Sequence, residues 1–148
     1  MLWLLRHADA ARGEPDEARP LTPRGIEEAR TAGTAIARLG IHIDTCLSSP
    51  KRRALETAEL ACEPLGVEVV TEPALARSGY DPERLAAGQG EVMLVGHNPA
   101  ISLALTNMTG ARVDMRKGGI AGIKQGELVV LMRPAELRAI AGATEVSA

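Results

Sequence analysis

Two arginines and two histidines stand where short apolar segments of the sequence end. Arg6 and His7 follow the apolar run at the N-terminus, Arg53 follows a second run, and His97 follows a later one. Guanidinium groups bind phosphate oxygens in pairs, and a neutral imidazole can attack phosphorus to form a covalent intermediate. These residue types predict a site in which His7 attacks a phosphoryl group held by Arg6, Arg53 and His97.

Six short apolar runs predict the strands that would carry these residues. They are Met1 to Leu5, Thr45 to Ser48, Val67 to Val70, Val92 to Val95, Ile120 to Ile123 and Leu128 to Met132.

Helical patterns lie between most of the predicted strands. Thr22-Pro23 is a typical helix start, and Gly40 follows the apolar stripe behind it. Ser49-Pro50 predicts a second start, with Gly66 near the end of that helix. A third helix is predicted from Pro99 to about Met108. The charged segment from Arg12 to Arg19 is instead typical of an exposed loop.

This alternation predicts an α/β fold with three layers, α/β/α, around a mainly parallel sheet. The last two strands are separated only by Lys124 to Glu127, which predicts an antiparallel hairpin at a sheet edge. The carboxyl ends of parallel strands share one edge, where ligands usually bind. The arginines and histidines that follow different strands can therefore converge.

Length and charge limit the classes of function. The 148 residues are 45% apolar and fit one domain, 1–148, in which we expect 142–148 to be a loose tail. The net charge of −2 supplies no overall field for nucleic acid or an anionic membrane. Arg6 ends the N-terminal apolar run too early for a signal peptide or a membrane span, so we expect a cytoplasmic protein.

The composition gives no sign of a cofactor. Cys46 and Cys62 lack the spacing of a zinc site or redox pair, so we expect buried, reduced thiols and no metal. Trp3 and Tyr80 are the only aromatic residues, too few for a surface that stacks nucleic-acid bases. No feature of the sequence indicates an oligomeric state.

Three motifs together resemble the histidine phosphatase, or phosphoglycerate mutase-like, superfamily. They are Arg6-His7, the segment Ser49 to Ala54, and Gly96 to Pro99. Arg6 to Ala10 and Arg19 to Thr22, with no large helical insert, resemble its SixA-type phosphohistidine phosphatase branch. The resemblance runs from Met1 to roughly Ile123 and is specific because three motifs occur in order.

The resemblance implies that His7 is the nucleophile and that Arg6, Arg53 and His97 form the phosphate pocket. We also predict that Asn98 and Asp9, which lie beside these motifs, contact the substrate. Asn98 could instead only cap the helix that follows.

The sequence departs from the family at two positions. Ala8 stands where the family usually has glycine, and we expect little effect on the chemistry. Ala74 stands near the place where many relatives have an acidic residue that protonates the leaving oxygen. Without that acid, a phosphorus–nitrogen substrate is favoured, because an imidazole can leave without the proton that an alkoxide needs. Asp9 and Asp81 are the candidate substitute acids.

Three functions follow from this reasoning. The first is a phosphatase for phosphohistidine in a protein, acting through phospho-His7. The second is a phosphatase for small phosphomonoesters, which requires an acid not found at Ala74. The third is a noncatalytic module that binds phosphate or phosphopeptides, for which cations alone would suffice. A mutase fits less well, because the resemblance implies that mutases of the superfamily have longer chains with added segments that close over the substrate.

Overall fold

The computed structural model of the chain describes residues 1–142, which contain one six-stranded mixed sheet. Its strands are β1 (Leu2–Arg6), β2 (Thr45–Ser48), β3 (Val69–Thr71), β4 (Val92–Gly96), β5 (Ile120–Lys124) and β6 (Glu127–Met132). The order across the sheet is β3-β2-β4-β1-β5-β6. The pairs among β1 to β4 are parallel, whereas β5 runs antiparallel to β1 and β6. The mainly parallel sheet with an antiparallel edge hairpin is confirmed.

The described residues also form five α-helices and three short 3-10 helices. The α-helices are α1 (Pro23–Arg38), α2 (Arg52–Cys62), α3 (Pro82–Ala86), α4 (Ala100–Thr109) and α5 (Pro134–Ala141). The 3-10 helices are Asp16–Ala18, Glu63–Leu65 and Pro73–Ala76. No helix within residues 1–142 has the length and apolar character that crossing a membrane would require.

Helices cover both faces of the sheet, which confirms the three-layer prediction. Successive side chains of a strand point to opposite faces. Trp3 and Leu5 of β1 accordingly pack with apolar residues of α1, α2 and α5. Leu2 and Leu4 pack on the other face with apolar residues of α4.

Small residues let α1 and α2 lie close together, in a chain without phenylalanine. Gly33 of α1 faces the backbone of α2, and a Cβ at Gly33 would collide with the carbonyl oxygen of Ala61. Ala32, Ala54 and Ala58 are fully buried in the same layer. This close packing joins α1 and α2 into one layer on the face of the sheet to which Trp3 and Leu5 point.

Two predicted boundaries are wrong. The second helix begins at Arg52 and not directly after Ser49-Pro50. The Ser49 hydroxyl is hydrogen-bonded to His97 and to the amide of Lys51, and Lys51 is still extended, with ψ 136°. The third strand begins at Val69 and not at Val67. The Val67 amide instead donates to the carbonyl of Cys62 and completes the turn that follows the second helix.

Other local predictions agree with the structure. The Thr22 hydroxyl accepts from the amide of Gly25 at 3.0 Å and caps α1. Gln125 and Gly126, with φ of 50° and 76°, form the two-residue turn between β5 and β6. Cys46 and Cys62 are both buried free thiols.

Four further segments differ from the sequence interpretation or extend beyond the described residues. The exposed segment from Arg12 to Arg19 contains the short helix Asp16–Ala18. α3 and α5 had no counterpart among the predicted helices. Apart from Gly142, the predicted loose tail lies outside the described residues.

Candidate active site

The carboxyl ends of three neighbouring strands bring both predicted site histidines to one edge of the sheet. Arg6 lies opposite Gly96 in the register of β1 and β4, and Ser48 of β2 lies opposite Val95 of β4. His7 and His97 are therefore adjacent, with ring centroids 5.2 Å apart.

The His7 ring is held in one tautomer by the backbone. Its Nδ1 lies 2.8 Å from the carbonyl oxygen of Ala8, and its backbone amide donates to the carbonyl of Gly96 at 3.0 Å. A carbonyl oxygen can only accept a hydrogen bond, so Nδ1 must carry the proton. Nε2 is then left with a free lone pair, which is what a nucleophile requires.

Burial keeps this ring neutral. His7 is only 7% exposed, and desolvation lowers its pKa to about 4. The positive charges of Arg53, Arg6 and Lys117 contribute to this lowering, whereas the hydrogen bond to Ala8 opposes it. His7 is therefore uncharged at neutral pH, with its single ring proton on Nδ1.

The His97 ring is fixed through Ser49. Nε2 of His97 lies 2.7 Å from Oγ of Ser49, and that oxygen also accepts from the amide of Lys51 at 3.2 Å. While Oγ of Ser49 accepts from Lys51, its hydroxyl proton is available to donate to Nε2 of His97. Nδ1 of His97 would then carry the proton. Nδ1 is buried and has no partner within residues 1–142, so it is free to donate to a bound anion.

His97 is also neutral. The pKa of His97 is lowered to about 3, mainly by burial and also by the charge of Arg53 and by the mutual repulsion that protonation of both imidazoles would cause. Both imidazole rings of the site are thus uncharged at neutral pH, and the arginines supply its positive charge.

Arg6 is anchored to the turn before β5. Its backbone amide donates to the carbonyl of Gly119 at 3.1 Å, and its Nη1 donates to the carbonyl of Met115 at 2.8 Å. Its Nε is buried and has no partner within the described part of the chain.

Arg53 is the second residue of α2 and is tied to the segment that follows His7. Oγ1 of Thr57 donates to the carbonyl of Arg53 at 2.7 Å and accepts from the amide of Ala8 at 3.0 Å. The guanidinium is almost fully buried, with 6% of the residue exposed. We refer to Arg6, His7, Arg53 and His97 as the arginine–histidine cluster.

Asp16 binds the cluster although its segment was expected to be only an exposed loop. Arg53 donates from Nη1 to the Asp16 carbonyl at 2.9 Å and from Nη2 to its carboxylate at 3.2 Å. Arg19 and Lys51 also contact this carboxylate, at 3.0 and 3.3 Å. Arg19 first, followed by Arg53 and Lys51, holds the pKa of Asp16 well below its usual range, so Asp16 is ionised.

Asn98 lies in a chain of hydrogen bonds that ends at Arg6. Its Nδ2 donates to Asp114 at 2.8 Å, and its Oδ1 accepts from the Ser102 hydroxyl at 2.5 Å. The same hydroxyl accepts from the amide of Met115 at 2.9 Å, and the Met115 carbonyl binds Arg6. The structure thus connects Asn98 to the loop that positions Arg6, and contact between Asn98 and substrate stays a prediction.

The two candidate substitute acids are engaged elsewhere. Asp9 accepts from the Thr22 hydroxyl at 2.8 Å and pairs with Lys117 at 3.3 Å. The Thr22 hydrogen bond, followed by Lys117, lowers the pKa of Asp9, so Asp9 is ionised. Asp81 is the N-cap of α3 and accepts from the amide of Glu83 at 3.0 Å.

The segment that contains Ala74 borders the end of β4. Ala74 belongs to the 3-10 helix Pro73–Ala76. A Cβ placed on Gly96 would lie 3.7 Å from the Leu75 carbonyl oxygen and 3.6 Å from the Tyr80 hydroxyl. That hydroxyl is buried, and burial raises the pKa of Tyr80 to about 12.

Sequence reasoning missed Asp16, Ser49 and Thr57 as parts of this site. A Ser-Pro pair indicates a helix start, and this signal concealed the hydrogen bond from Ser49 to His97. Nothing in the spacing connects Asp16 with Arg53, which lies 37 residues later. Within residues 1–142, no group of three or more histidine, cysteine or carboxylate side chains is placed to hold a metal ion.

Comparison with known sequences gives a consistent assignment. Residues 2–81 match the histidine phosphatase superfamily (branch 1). A protein of unassigned function from Picosynechococcus sp. strain PCC 7002 is 33% identical over 141 residues, which cover 84% of this chain and 85% of that protein. A 2,3-bisphosphoglycerate-dependent phosphoglycerate mutase from Methylobacterium sp. is 36% identical over 81 residues, covering 53% of this chain and 37% of the mutase.

Solved structures share the fold. A SixA-type protein from Agrobacterium tumefaciens has a TM-score of 0.77 and 27% identity, covering 90% of this chain and 97% of its own. The protein histidine phosphatase SixA in complex with tungstate has a TM-score of 0.80 at 24% identity, and the match covers 92% of this chain and 98% of the SixA chain. The family supports phosphatase or mutase activity. The chain belongs to branch 1 of the histidine phosphatase superfamily.

Proposed function

We propose that the protein is a phosphohistidine phosphatase, which hydrolyses phosphohistidine on a protein through a covalent phosphoryl group on His7. The observation that carries this proposal is the 2.8 Å contact between Nδ1 of His7 and the carbonyl of Ala8. It directs the free lone pair of Nε2 into a cluster that contains two arginines. Their charge offsets the repulsion that an anionic substrate presents to a nucleophile.

In the first step, Nε2 of His7 attacks phosphorus and the bond from phosphorus to the substrate imidazole breaks. Arg6 and Arg53 bind the non-reacting oxygens, and Nδ1 of His97 donates to the transferring group. The substrate imidazole leaves as a neutral ring, because its second nitrogen already carries a proton. No proton needs to reach the departing nitrogen.

In the second step, water attacks the phosphoryl group on His7 and inorganic phosphate leaves. The carbonyl of Ala8 keeps a proton on Nδ1, so the phosphorylated ring carries positive charge and departs as neutral imidazole. The hydroxyl of the water stays on phosphorus, and its other proton goes to solvent. His7 thereby returns to its starting tautomer.

The choice of a phosphorus–nitrogen substrate rests on the positions of the carboxyl groups. Asp9 is ionised between Thr22 and Lys117, and Asp81 caps α3. Ala74 provides no acid at the border of β4. An alkoxide needs a proton as it leaves, whereas a protonated phosphohistidine does not.

The test is a comparison of initial rates on a phosphohistidine protein, p-nitrophenyl phosphate and a sugar phosphate. Wild type should favour the phosphohistidine protein, and an alkali-quenched sample should retain a base-stable, acid-labile phosphoryl label. His7→Ala should lose turnover and label while staying folded, and His42→Ala, which removes an exposed histidine, should retain both.

Other outcomes would replace this proposal. Faster turnover of the sugar phosphate would identify a general phosphomonoesterase. Binding of phosphohistidine without turnover by wild type would identify a noncatalytic module. Appreciable activity in His7→Ala would refute the covalent mechanism.

A further inference from the structure

A basic cavity of about 470 Å³ opens beside Arg6, and neither His7 nor His97 lines it. Six cationic side chains line it: Arg6, Arg24, Arg116, Lys117, Arg133 and Arg138. Its only acidic lining residues within the described chain are Asp9 and Glu28. This is a local concentration of positive charge on a protein whose net charge is −2.

Three of these cations already have a carboxylate partner. Lys117 pairs with Asp9 at 3.3 Å, and Arg24 lies 3.8 Å from Glu28. Arg133 pairs with Glu136 at 2.7 Å.

The other three cations leave a surplus of positive charge. Within residues 1–142, Arg116 and Arg138 have no carboxylate within 4.0 Å, and Arg6 binds a carbonyl. Burial lowers the pKa of the Arg6 guanidinium, Asp114 opposes this shift, and the nearby charge of Arg116 adds to it.

The wall of the cavity is fastened to the nucleophile segment. The Gly118 amide lies 3.1 Å from the carbonyl of Arg6 and 3.2 Å from that of His7. The next amide, that of Gly119, donates to the carbonyl of Arg116 at 2.8 Å. The turn that carries Arg116 and Lys117 is thus held at a fixed position beside the site of phosphoryl transfer.

We infer that the basic cavity binds acidic side chains that flank the phosphohistidine of the protein substrate. This inference rests on the proposed function. Arginine forks bind carboxylates in pairs, and Arg6 lines the cavity while it also belongs to the arginine–histidine cluster. The cations come from the end of β1, from α1, from the turn before β5, and from α5 and the residue before it. This spread matches several carboxylates on a protein surface better than one small anion. The same charges speed encounter with an acidic partner.

The test compares two phosphohistidine peptides, one with aspartates beside the histidine and one with asparagines at the same positions. Wild type should show about tenfold higher kcat/KM for the acidic peptide through a lower KM, since each exposed ion pair contributes about two- to fivefold. The ratio should fall toward one at high salt.

Charge reversal with Arg116→Glu and Arg138→Glu together should remove this preference or invert it. The ratio between the two peptides cancels any general loss of activity in the variant. Arg30→Glu is the matched control, because Arg30 is an exposed arginine of α1 that lines a different groove. The control should keep the wild-type ratio.

The outcomes separate the two proposals. If both peptides are hydrolysed with equal kcat/KM, or if charge reversal leaves their ratio unchanged, this inference is overturned and the proposed function stands. If wild type turns over p-nitrophenyl phosphate but neither peptide, both proposals are overturned. A preference for a small bisphosphate over both peptides would also overturn the inference.

Discussion

Acidification should destabilise the folded protein through the two buried histidines of the arginine–histidine cluster. The pKa of His7 lies at about 4 in the folded protein, against an ordinary value of 6.5. Between these pH values His7 is protonated in the unfolded chain and neutral in the folded protein. The free energy of unfolding therefore falls as the pH is lowered through this window, and the contribution is complete only above pH 6.5.

The size of the effect follows from the pKa values. Each pH unit between them changes the free energy of unfolding by about 1.4 kcal/mol, so His7 alone contributes a loss of ~3 kcal/mol by pH 4. His97, with a pKa of about 3, adds a loss that continues to lower pH. Because each ring disfavours protonation of the other, the two losses are not independent.

Urea unfolding at a series of pH values from about 7 to about 4 measures this dependence. His7→Asn keeps a side-chain donor for the Ala8 carbonyl but has no titrating ring. Below pH 6.5 its unfolding free energy should fall less steeply than that of wild type, by about 1.4 kcal/mol per pH unit. His42→Gln, which removes an exposed histidine, should follow wild type. Parallel curves for wild type and His7→Asn would refute the assignment of a buried, neutral His7.

Three further predictions concern catalysis. Arg53→Lys should lose activity on the order of a hundredfold, because lysine lacks the fork that holds two phosphate oxygens; near-normal initial rates would remove Arg53 from the phosphate pocket. Ser49→Ala should lower kcat about tenfold, because it removes one hydrogen bond that holds the His97 ring in place. An unchanged kcat would separate Ser49 from catalysis. Ala74→Glu should make the rate on phosphomonoesters less dependent on the pKa of the leaving alcohol. If the rate of wild type already depends only weakly on that pKa, a proton donor is present, and Tyr80 becomes the first residue to mutate.

The placement of the site at the strand ends could be predicted because it depends on local patterns. Each short apolar run predicted a strand, and parallel strands place their carboxyl ends at one edge. His7 and His97 follow two of these strands, so they lie near each other if the strands are neighbours in the sheet, as β1 and β4 are. The Thr22 cap and the turn at Gly126 were predictable for the same reason, since both depend on a few neighbouring residues.

Contacts between distant segments could not be predicted in this way. Asp16 reaches Arg53 only because the segment before α1 folds over the start of α2. The basic cavity gathers Arg24, Arg116 and Arg138 from three separated parts of the chain. No periodic pattern relates such positions, so only the folded structure reveals them. α5 was different, because the signal of Pro134 followed by Glu136 was present in the sequence.

The acceptor that orients the His7 ring belongs to the main chain. In a serine hydrolase triad the orienting acceptor is an aspartate side chain, which a single codon change can delete. A carbonyl is present whichever amino acid occupies position 8, but Ala8 is fully buried beside Leu21 and Ala29, so a larger side chain there would have to displace its neighbours or the backbone. The genetic weak point lies instead at Gly25, where any Cβ would collide with the carbonyl oxygen of Asp9 and displace the backbone beside Ala8. A substitution of Gly25 would thus disturb the backbone that orients the His7 ring without changing His7 or Ala8.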